Sequence, residues 1–216
     1  MIFGKLRIKL LERSAFNAFA LSQFDKAAAA FEKLIALAPG RRGGRFNLGL
    51  ALLAGNQWDA ALGYFRQEAD LFGETFPLVK AMAEAAYLKG ERAAAREHYE
   101  RALGQADSPS ERNFCSLRLA ICGSPERFAQ ARHARGLIDQ GDAHMLRREY
   151  DAAEELFREA TRLDPTSFQA MNNLGAIRLA KKDYASAQEY FQMADKIAEL
   201  PMVKKNLAYL AKQRGL

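Results

Sequence analysis

The chain has 216 residues, of which 49% are hydrophobic, and its 32 Lys and Arg against 26 Asp and Glu give a net charge of +6. This length and apolar content are enough to bury a core, which excludes an intrinsically disordered chain. Because only six residues are proline and Val is scarce, the composition favours helices over strands and predicts an all-α protein.

No uninterrupted apolar segment in the sequence reaches the length of about 18 residues that a membrane-spanning helix needs. Charges at Lys5, Arg7 and Lys9 also interrupt the apolar region that a signal peptide would require. We therefore expect a cytoplasmic protein.

Residues 1–13 form a basic leader whose structure the sequence leaves open. From Lys5 to Leu10 polar and apolar residues alternate, which locally indicates a strand, but no partner strand is evident elsewhere in the chain. We interpret the leader as the start of the first helix. The alternative is a segment for self-association or for peripheral contact with an anionic membrane surface, since both ends of the chain are basic.

Five blocks of 34 residues, at 8–41, 42–75, 76–109, 134–167 and 168–201, repeat one skeleton of small and large side chains. The eighth position of a block is small, the twentieth is Ala and the twenty-fourth is aromatic. The residues concerned are Gly49, Gly141, Gly175, Ala27, Ala61, Ala95, Ala153, Ala187, Phe31, Phe65, Tyr99, Phe157 and Phe191. Apolar residues at helical spacing in both halves of a block predict two amphipathic helices, which cross where the side chains are small.

This skeleton resembles that of the tetratricopeptide repeat, most closely in blocks 42–75, 134–167 and 168–201. In block 42–75 the sequence departs from the family pattern, since Glu68 stands where Ala is usual. The resemblance implies a single α-solenoid domain, a right-handed superhelix of about six helix pairs, one of them shortened. Residues 201–214 fit a capping helix on the last pair, with Val203, Leu207 and Leu210 turned inward.

The period breaks at 110–133, where 24 residues stand in place of 34. We interpret this segment as a shortened repeat of two trimmed helices, the second running from 125 to about 135, because Gly136 and Gly141 disfavour a continuous helix. The alternative is one long helix over 125–147 with a kink in the stack. Either way the array should bend near its middle, which could give two lobes, 1–109 and 110–216.

The sequence contains no pattern typical of catalysis or of cofactor binding. His98, His133 and His144 each stand apart from other metal-ligating residues. Cys115 and Cys122 are too far apart along one helix for a disulfide, so we expect two buried free thiols. With no phosphate-binding loop and no nucleophile beside a base, we predict a non-enzymatic protein without a catalytic, cofactor or metal site, and we expect no nucleic-acid partner.

The resemblance also implies where a ligand would bind, because tetratricopeptide arrays usually hold a peptide or a partner helix on the concave face lined by the first helix of each repeat. The residues at or beside these positions are Glu12, Phe16, Phe19, Phe46, Asn47, Leu50, Leu53, Lys80, Glu84, Tyr87, Asn172 and Ala176. The N-terminal part of this groove should be apolar and aromatic, with Glu12 as its acidic member, which suits a partner helix or an extended segment with bulky side chains.

One subfamily with this fold grips the C-terminal carboxylate of chaperones, but only Asn47 of its five binding residues is retained here, and Glu12 would repel a carboxylate. Our leading hypothesis is a scaffold or adaptor that binds a peptide or helical segment of a partner protein in the groove. The alternatives are a membrane-peripheral assembly factor whose leader contacts anionic lipid, and a structural subunit of a larger complex. The sequence does not identify the partner.

Overall fold

The structure is a computed structural model that describes residues 2–198 and 201–213, with side chains described at 6–198 and 202–213. Within these residues the chain forms α-helices joined by short turns and contains no strand, which confirms the predicted all-α class. The helices are α1 (Ile2–Ala20), α2 (Phe24–Leu37), α3 (Gly44–Ala54), α4 (Trp58–Phe72), α5 (Phe76–Lys89), α6 (Arg92–Gly104), α7 (Pro109–Cys122), α8 (Pro125–Leu146), α9 (Tyr150–Leu163), α10 (Phe168–Ala180), α11 (Tyr184–Ile197) and α12 (Pro201–Gln213).

The chain divides into two compact units, unit 1 at Met1–Gln105 and unit 2 at Ala106–Leu216. In unit 1, α1 packs on α2, α3 on α4 and α5 on α6, and contacts of α2 with α3 and of α4 with α5 join the pairs. In unit 2, α8 packs on α9 and α10 on α11, α9 contacts α10, and α12 lies against α11 and α10. Each unit is therefore a stack of helix pairs, as the sequence predicts.

The turn inside each helix pair has the same geometry wherever the 34-residue block occurs. Its left-handed residue, the fifteenth of the block, has φ between 57° and 91°. The next residue donates its backbone N–H to the carbonyl oxygen five positions earlier, over 2.8 to 3.0 Å, which closes a Schellman turn. The left-handed residues are Ser22, Asn56, Gly90, Arg148 and Lys182. Their spacing reproduces the predicted block register, including the extra 24 residues before Arg148.

The small residues of the skeleton let an aromatic ring of the second helix touch the backbone of the first. A Cβ atom on Gly49 would lie 2.4 Å from the Phe65 ring, which is closer than real contacts permit. The same contact joins Gly141 to Phe157 and Gly175 to Phe191. The other residues of the skeleton are fully or almost fully buried in their own helix pairs, namely Ala27, Ala61, Ala95, Ala153 and Ala187, together with Phe31 and Tyr99. The skeleton thus forms the core of every helix pair.

The segment that breaks the period differs from our preferred interpretation. α8 runs without interruption from Pro125 to Leu146, so the predicted end of a short helix near residue 135 is wrong and the alternative of one long helix is correct. Gly136 costs only about 1 kcal/mol in a helix, and Ala131, Ala134 and Ile138 are buried along the same helix, which outweighs that cost. Gly141 is the close-approach residue of the next helix pair rather than a helix terminator.

α7 does not form a pair with a trimmed second helix but lies against α8 and α11 of unit 2. The buried side chains of Arg118 and Asp164 form an ion pair with 3.8 Å between nitrogen and oxygen. The Arg118 guanidinium also lies 5.4 Å from the centre of the Phe114 ring. The side-chain amide of Asn113 donates to the backbone carbonyl of Lys196 at the end of α11 over 3.3 Å. These contacts hold α7 as an added helix rather than as part of a repeat.

The two ends of the array are helical. α1 begins at Ile2, so the alternating pattern at 5–10 is helical and does not form a strand. A strand without a neighbouring strand would leave its backbone N–H and C=O groups unpaired. In α12, Val203 and Leu210 are buried and Leu207 is half-buried, which is the arrangement expected of a capping helix. Position 214, where the predicted cap ends, lies outside the described residues.

Candidate functional site

The described residues contain no group of three or more His, Cys, Asp or Glu side chains that could hold a metal ion. Cys115 and Cys122 are buried free thiols, as their spacing predicts. His144 contacts Glu149 over 2.6 Å across the turn between α8 and α9. No helix in this part of the chain combines the length and the hydropathy needed to span a bilayer. The surfaces of the first helices are therefore the candidate site.

Unit 1 carries four bulky apolar side chains on the exposed sides of α1 and α3, which we call the apolar strip: Phe16, Phe46, Leu50 and Leu53. Phe16 is 46% exposed, and the edge of its ring meets Phe31 with 5.4 Å between centroids. Phe46, Leu50 and Leu53 are half-buried and share one face of α3, since they are spaced by four and three residues. They pack on the core of unit 1 while their outer edges remain accessible.

The polar member predicted for this end of the groove is neutralised by a neighbour. Glu12 lies 2.7 Å from the guanidinium of Arg41, which belongs to the turn between α2 and α3. Glu12 therefore presents a paired rather than a lone negative charge at this surface. Phe19 is half-buried and directs its ring edge at Phe24 over 5.5 Å, so it contributes more to packing than to the surface.

The third helix pair contributes less to the groove than predicted. Tyr87 is 6% exposed and packs against Tyr99 of α6 with 6.4 Å between ring centroids, so its assignment to an open groove is wrong. Glu84 is half-buried and accepts a hydrogen bond from the Tyr99 hydroxyl. Lys80, like Asn47 of α3, is half-buried.

A buried carboxylate that the groove prediction missed fixes the start of α3. Glu68 in α4 is 5% exposed, and its two oxygens accept the backbone N–H groups of Gly43 and Phe46. The first N–H groups of a helix lack partners within the helix and attract negative charge. Glu68 therefore positions Phe46, and the signal in the sequence was the departure from the usual Ala at this position.

Unit 2 carries a row of hydrogen-bonded polar side chains on its first helices, which we call the amide ladder: Asp142, Asn173, Asn172 and Asn206. Asn206 of α12 donates to Asn172 over 2.8 Å, Asn172 to Asn173 over 3.4 Å, and Asn173 to Asp142 of α8 over 2.7 Å. Asn172 is buried, so its predicted place in an open groove is wrong, because α12 covers it. A signal was available, since Asn206 follows Asn172 by one period of 34 residues.

Next to the ladder, α10, the start of α11 and α12 border a solvent-open hollow of about 380 Å³, which we call the tyrosine pocket. Ala176, predicted as a groove residue, lies in its wall. The remaining lining residues are Leu179, Ala180, Lys182, Tyr184, Tyr209 and Gln213. Sequence reasoning missed this pocket because α12 was assigned only a capping role.

A charged cluster joins α9 to α10. The buried carboxylate of Glu154 contacts the guanidinium of Arg178 and lies 2.9 Å from the ammonium of Lys181. Asp151 lies 2.7 Å from the same ammonium. Hydrogen bonds to Asp151 and Glu154 raise the pKa of Lys181, and the bond from Lys181 lowers the pKa of Asp151. Lys181 is thus engaged within unit 2, whereas the neighbouring Lys182 faces the pocket.

Stacked helix pairs with one recurring turn define a helical-repeat protein. The chain belongs to the tetratricopeptide repeat family, because the model of that family matches residues 15–74 and 138–200, more than half of the chain. Proteins with this repeat are interaction scaffolds and generally non-enzymatic. A comparison with curated proteins found no match.

Solved structures with a similar fold include MamA 41-end from Desulfovibrio magneticus RS-1, with a TM-score of 0.50 and 13% identity over 88% of this chain and 94% of that one. The MamA RS-1 ArsTM double mutant gives the same values. YrrB, whose structure is described as a TPR protein with an unusual peptide-binding site, has a TM-score of 0.43 and 16% identity over 94% of this chain and 89% of that one. At 13% identity, the similarity to the two MamA structures supports the fold of this chain and no further property.

Proposed function

We propose that this chain is a non-enzymatic scaffold whose unit 1 binds a peptide or a helical segment of a partner protein along the apolar strip. The observation that supports this is Phe16, which is 46% exposed beside the half-buried Phe46, Leu50 and Leu53. A partner helix or an extended segment with bulky apolar residues would remove these side chains from water.

The strip is also rigid enough to act as a preformed surface. Phe46 rests on Phe65 with 5.9 Å between ring centroids, and Glu68 holds the Phe46 backbone N–H. A preformed surface loses little conformational entropy on binding. Arg41 pairs with Glu12, so this end of the strip presents no unpaired charge of Glu12 to a partner. We therefore expect the affinity for the partner to depend only weakly on salt concentration.

Site-specific photo-crosslinking in native extract tests this proposal. A photoreactive phenylalanine analogue at position 16 should crosslink a partner, whereas the same analogue at Leu71, 54% exposed on α4, is the matched control. Phe46→Ala combined with Leu50→Ala should reduce the crosslink without unfolding unit 1. A crosslink of equal yield from position 71, or one that the double variant leaves unchanged, would contradict the placement of the partner on the strip.

The outer face of α1 favours a second candidate function, attachment to an anionic lipid surface. Leu6 and Leu10 are 53% and 58% exposed and, at helical spacing, share one face of α1 with Arg13, and Leu21 in the turn after α1 is 68% exposed. Lys26 of α2 lines the same hollow as Leu10 and Leu21. Exposed leucines among basic residues suit the boundary between lipid head groups and acyl chains, where each cation adds about 1 kcal/mol.

Co-sedimentation of the full chain with liposomes separates the two candidates. Vesicles containing phosphatidylserine should pellet the chain and vesicles of phosphatidylcholine should not, and Leu6→Ser with Leu10→Ser should abolish the effect. Leu71→Ser is the control for loss of an exposed leucine. If the double variant sediments like the wild type, or if neither does, the membrane function is rejected.

A further inference from the structure

Small residues of α10 form one wall of the tyrosine pocket. Ala176 and Ala180 are the ninth and thirteenth residues of their block. In unit 1 the ninth position is held by the larger Phe16, Leu50 and Glu84. The space left between α10 and α12 measures about 380 Å³. This lies within the range of about 300 to 1,000 Å³ typical of ligand pockets, so it has room for a large side chain.

The amide ladder sets the width of this pocket. Asn172 precedes Ala176 by four residues and Asn206 precedes Tyr209 by three, so the hydrogen bond between the two asparagines lies one helical turn from the pocket. Val203 is buried on the same helix and anchors it. The two walls of the pocket are therefore held at a defined separation before any ligand arrives.

The chemistry of the lining indicates an aromatic group. Tyr184 and Tyr209 stand in the walls with Leu179, and Tyr209 is 52% exposed. Aromatic rings favour offset or edge-on contacts with one another, which strengthen binding about two- to tenfold beyond the effect of the area that they bury. A phenylalanine or tryptophan side chain would make such contacts with both tyrosines.

The charge around the pocket indicates an acidic ligand. α10 and α12 contain no acidic residue. Lys182 lines the pocket, and Lys205 and Lys212 are exposed on α12. The carboxylate next to Lys182 belongs to Asp183, which accepts the backbone N–H of Ser186 and so caps α11. Carboxylates beside the bound aromatic residue would meet these ammonium groups.

We propose that the tyrosine pocket is a second binding site, independent of the apolar strip, and that it accepts an aromatic side chain from an acidic, extended peptide segment. The aromatic ring enters between Tyr184 and Tyr209, and flanking carboxylates pair with Lys182 and with the lysines of α12.

Fluorescence anisotropy with labelled peptides on the full chain tests the proposal. The probe is Glu-Asp-Phe-Asp-Glu, with Glu-Asp-Ala-Asp-Glu and Gln-Asn-Phe-Asn-Gln as matched peptides. We expect saturable binding of the probe. Each matched peptide should bind with an affinity at least about tenfold lower, since one ring contact or one charge pair is worth about that factor. Equal binding of all three peptides, or no saturable binding of the probe, overturns the proposal.

Variants place the binding in the pocket. Ala180→Trp should abolish it by filling the hollow at an exposed position, and Lys182→Glu should weaken it about tenfold or more. Lys196→Glu makes the same charge change near the far end of α11, about 18 Å along the helix from Tyr184, and should have little effect. Phe16→Ala should also leave binding unchanged, which separates this site from the proposed function of unit 1.

Two results would overturn the assignment even if the probe binds. Unchanged affinity in Ala180→Trp, with the fold verified by circular dichroism, would place the peptide elsewhere. Saturable binding of ATP that displaces the probe and is lost in Ala180→Trp would assign the tyrosines and Lys182 to a nucleotide instead of a peptide.

Discussion

Unit 1 presents apolar side chains on α1 and α3, whereas unit 2 presents a hydrogen-bonded amide and an alanine at the corresponding positions of α10. Phe46 and Asn172 are the fifth residues of their blocks, and Leu50 and Ala176 are the ninth. Under both surfaces the framework is the same: a glycine of the first helix packs against an aromatic ring of the second helix, and the turn between the helices contains a left-handed residue. Packing and surface are therefore encoded at different positions of one helix, so the surface can change without disturbing the fold.

The units also differ in what holds them together beyond this framework. Unit 2 contains the buried ion pair of Arg118 with Asp164 and the cluster around Glu154. In unit 1, the buried carboxylate of Glu68 is bonded to the backbone of α3 rather than to a cation. We therefore expect substitutions in shared framework positions to affect both units alike and substitutions in buried ion pairs to affect unit 2 alone.

The largest difference should come from Arg118→Met. Removing one member of a buried ion pair leaves Asp164 without its cation, which costs about 3 kcal/mol or more. Hydrogen exchange followed by mass spectrometry should show faster opening of α7 and α9 with unit 1 unchanged. Arg127→Met, the same change at an exposed position of the adjacent helix α8, is the control. Adding Asp164→Asn should recover much of the loss, and failure to do so would assign the effect to packing of Arg118 instead.

The shared framework predicts matched losses in the two units. Gly49→Ala and Gly175→Ala place a methyl group 2.4 and 2.6 Å from the rings of Phe65 and Phe191. We expect each to lower the free energy of unfolding of its own unit by about 1 to 3 kcal/mol. Gly63→Ala, where a Cβ meets nothing within 4 Å, should instead stabilise α4 by up to about 1 kcal/mol. Urea denaturation measures all three, and a loss confined to one unit would show that the frameworks differ.

The framework was predictable from sequence because it depends on contacts between residues that lie within one block. The ring of Phe65 meets Gly49 across a single turn, so the size pattern of the sequence carries the information. The turn residues were less accessible to prediction. Gly90 and Asn56 are typical of a left-handed conformation, but Arg148 and Lys182 are not, and only the repeat register indicates their backbone conformation.

Predictions failed where a neighbouring helix covers a position that helical phase alone places on the groove side. Tyr87 is covered by Tyr99 of the second helix in its own pair, and Asn172 is covered by α12, which belongs to no repeat block. The position of α7 depends on a charge pair between residues far apart in sequence. By contrast, Phe16 and the side chains on α3 were found because their exposure follows directly from helical phase.

The amide ladder offers a test that only unit 2 should register. Asn206→Ala removes the donor to the buried side-chain oxygen of Asn172, which should cost about 1 to 2 kcal/mol. The loss should appear as fraying of α12 in hydrogen exchange. Lys205→Ala, exposed on the same helix, controls for the change in helix propensity. Equal protection of α12 in both variants would mean that Val203 and Leu210 alone hold the cap.

The smallest expected difference between the units is their response to mild acid. Burial lowers the pKa of His98 in α6 below its usual 6.5, and this effect outweighs the opposing charge of Glu97 and is aided by the charge of Arg66. The unfolded chain then binds the proton more readily than the folded one, so the stability of unit 1 should fall as the pH drops from 7 through 6.5 towards the lowered pKa.

In unit 2 the bond from Lys181 to Asp151 and that from Ser186 to Asp183 lower the carboxyl pKa values. Their contribution is complete above the ordinary carboxyl pKa of 3.8 and is lost only below it. Between pH 7 and 5, hydrogen exchange corrected for the intrinsic rate should therefore report weakening in α5 and α6 and none in α9 to α11. His98→Gln should remove this dependence, whereas the exposed His133→Gln in unit 2 should not. A dependence that survives His98→Gln would locate the titrating group elsewhere in unit 1.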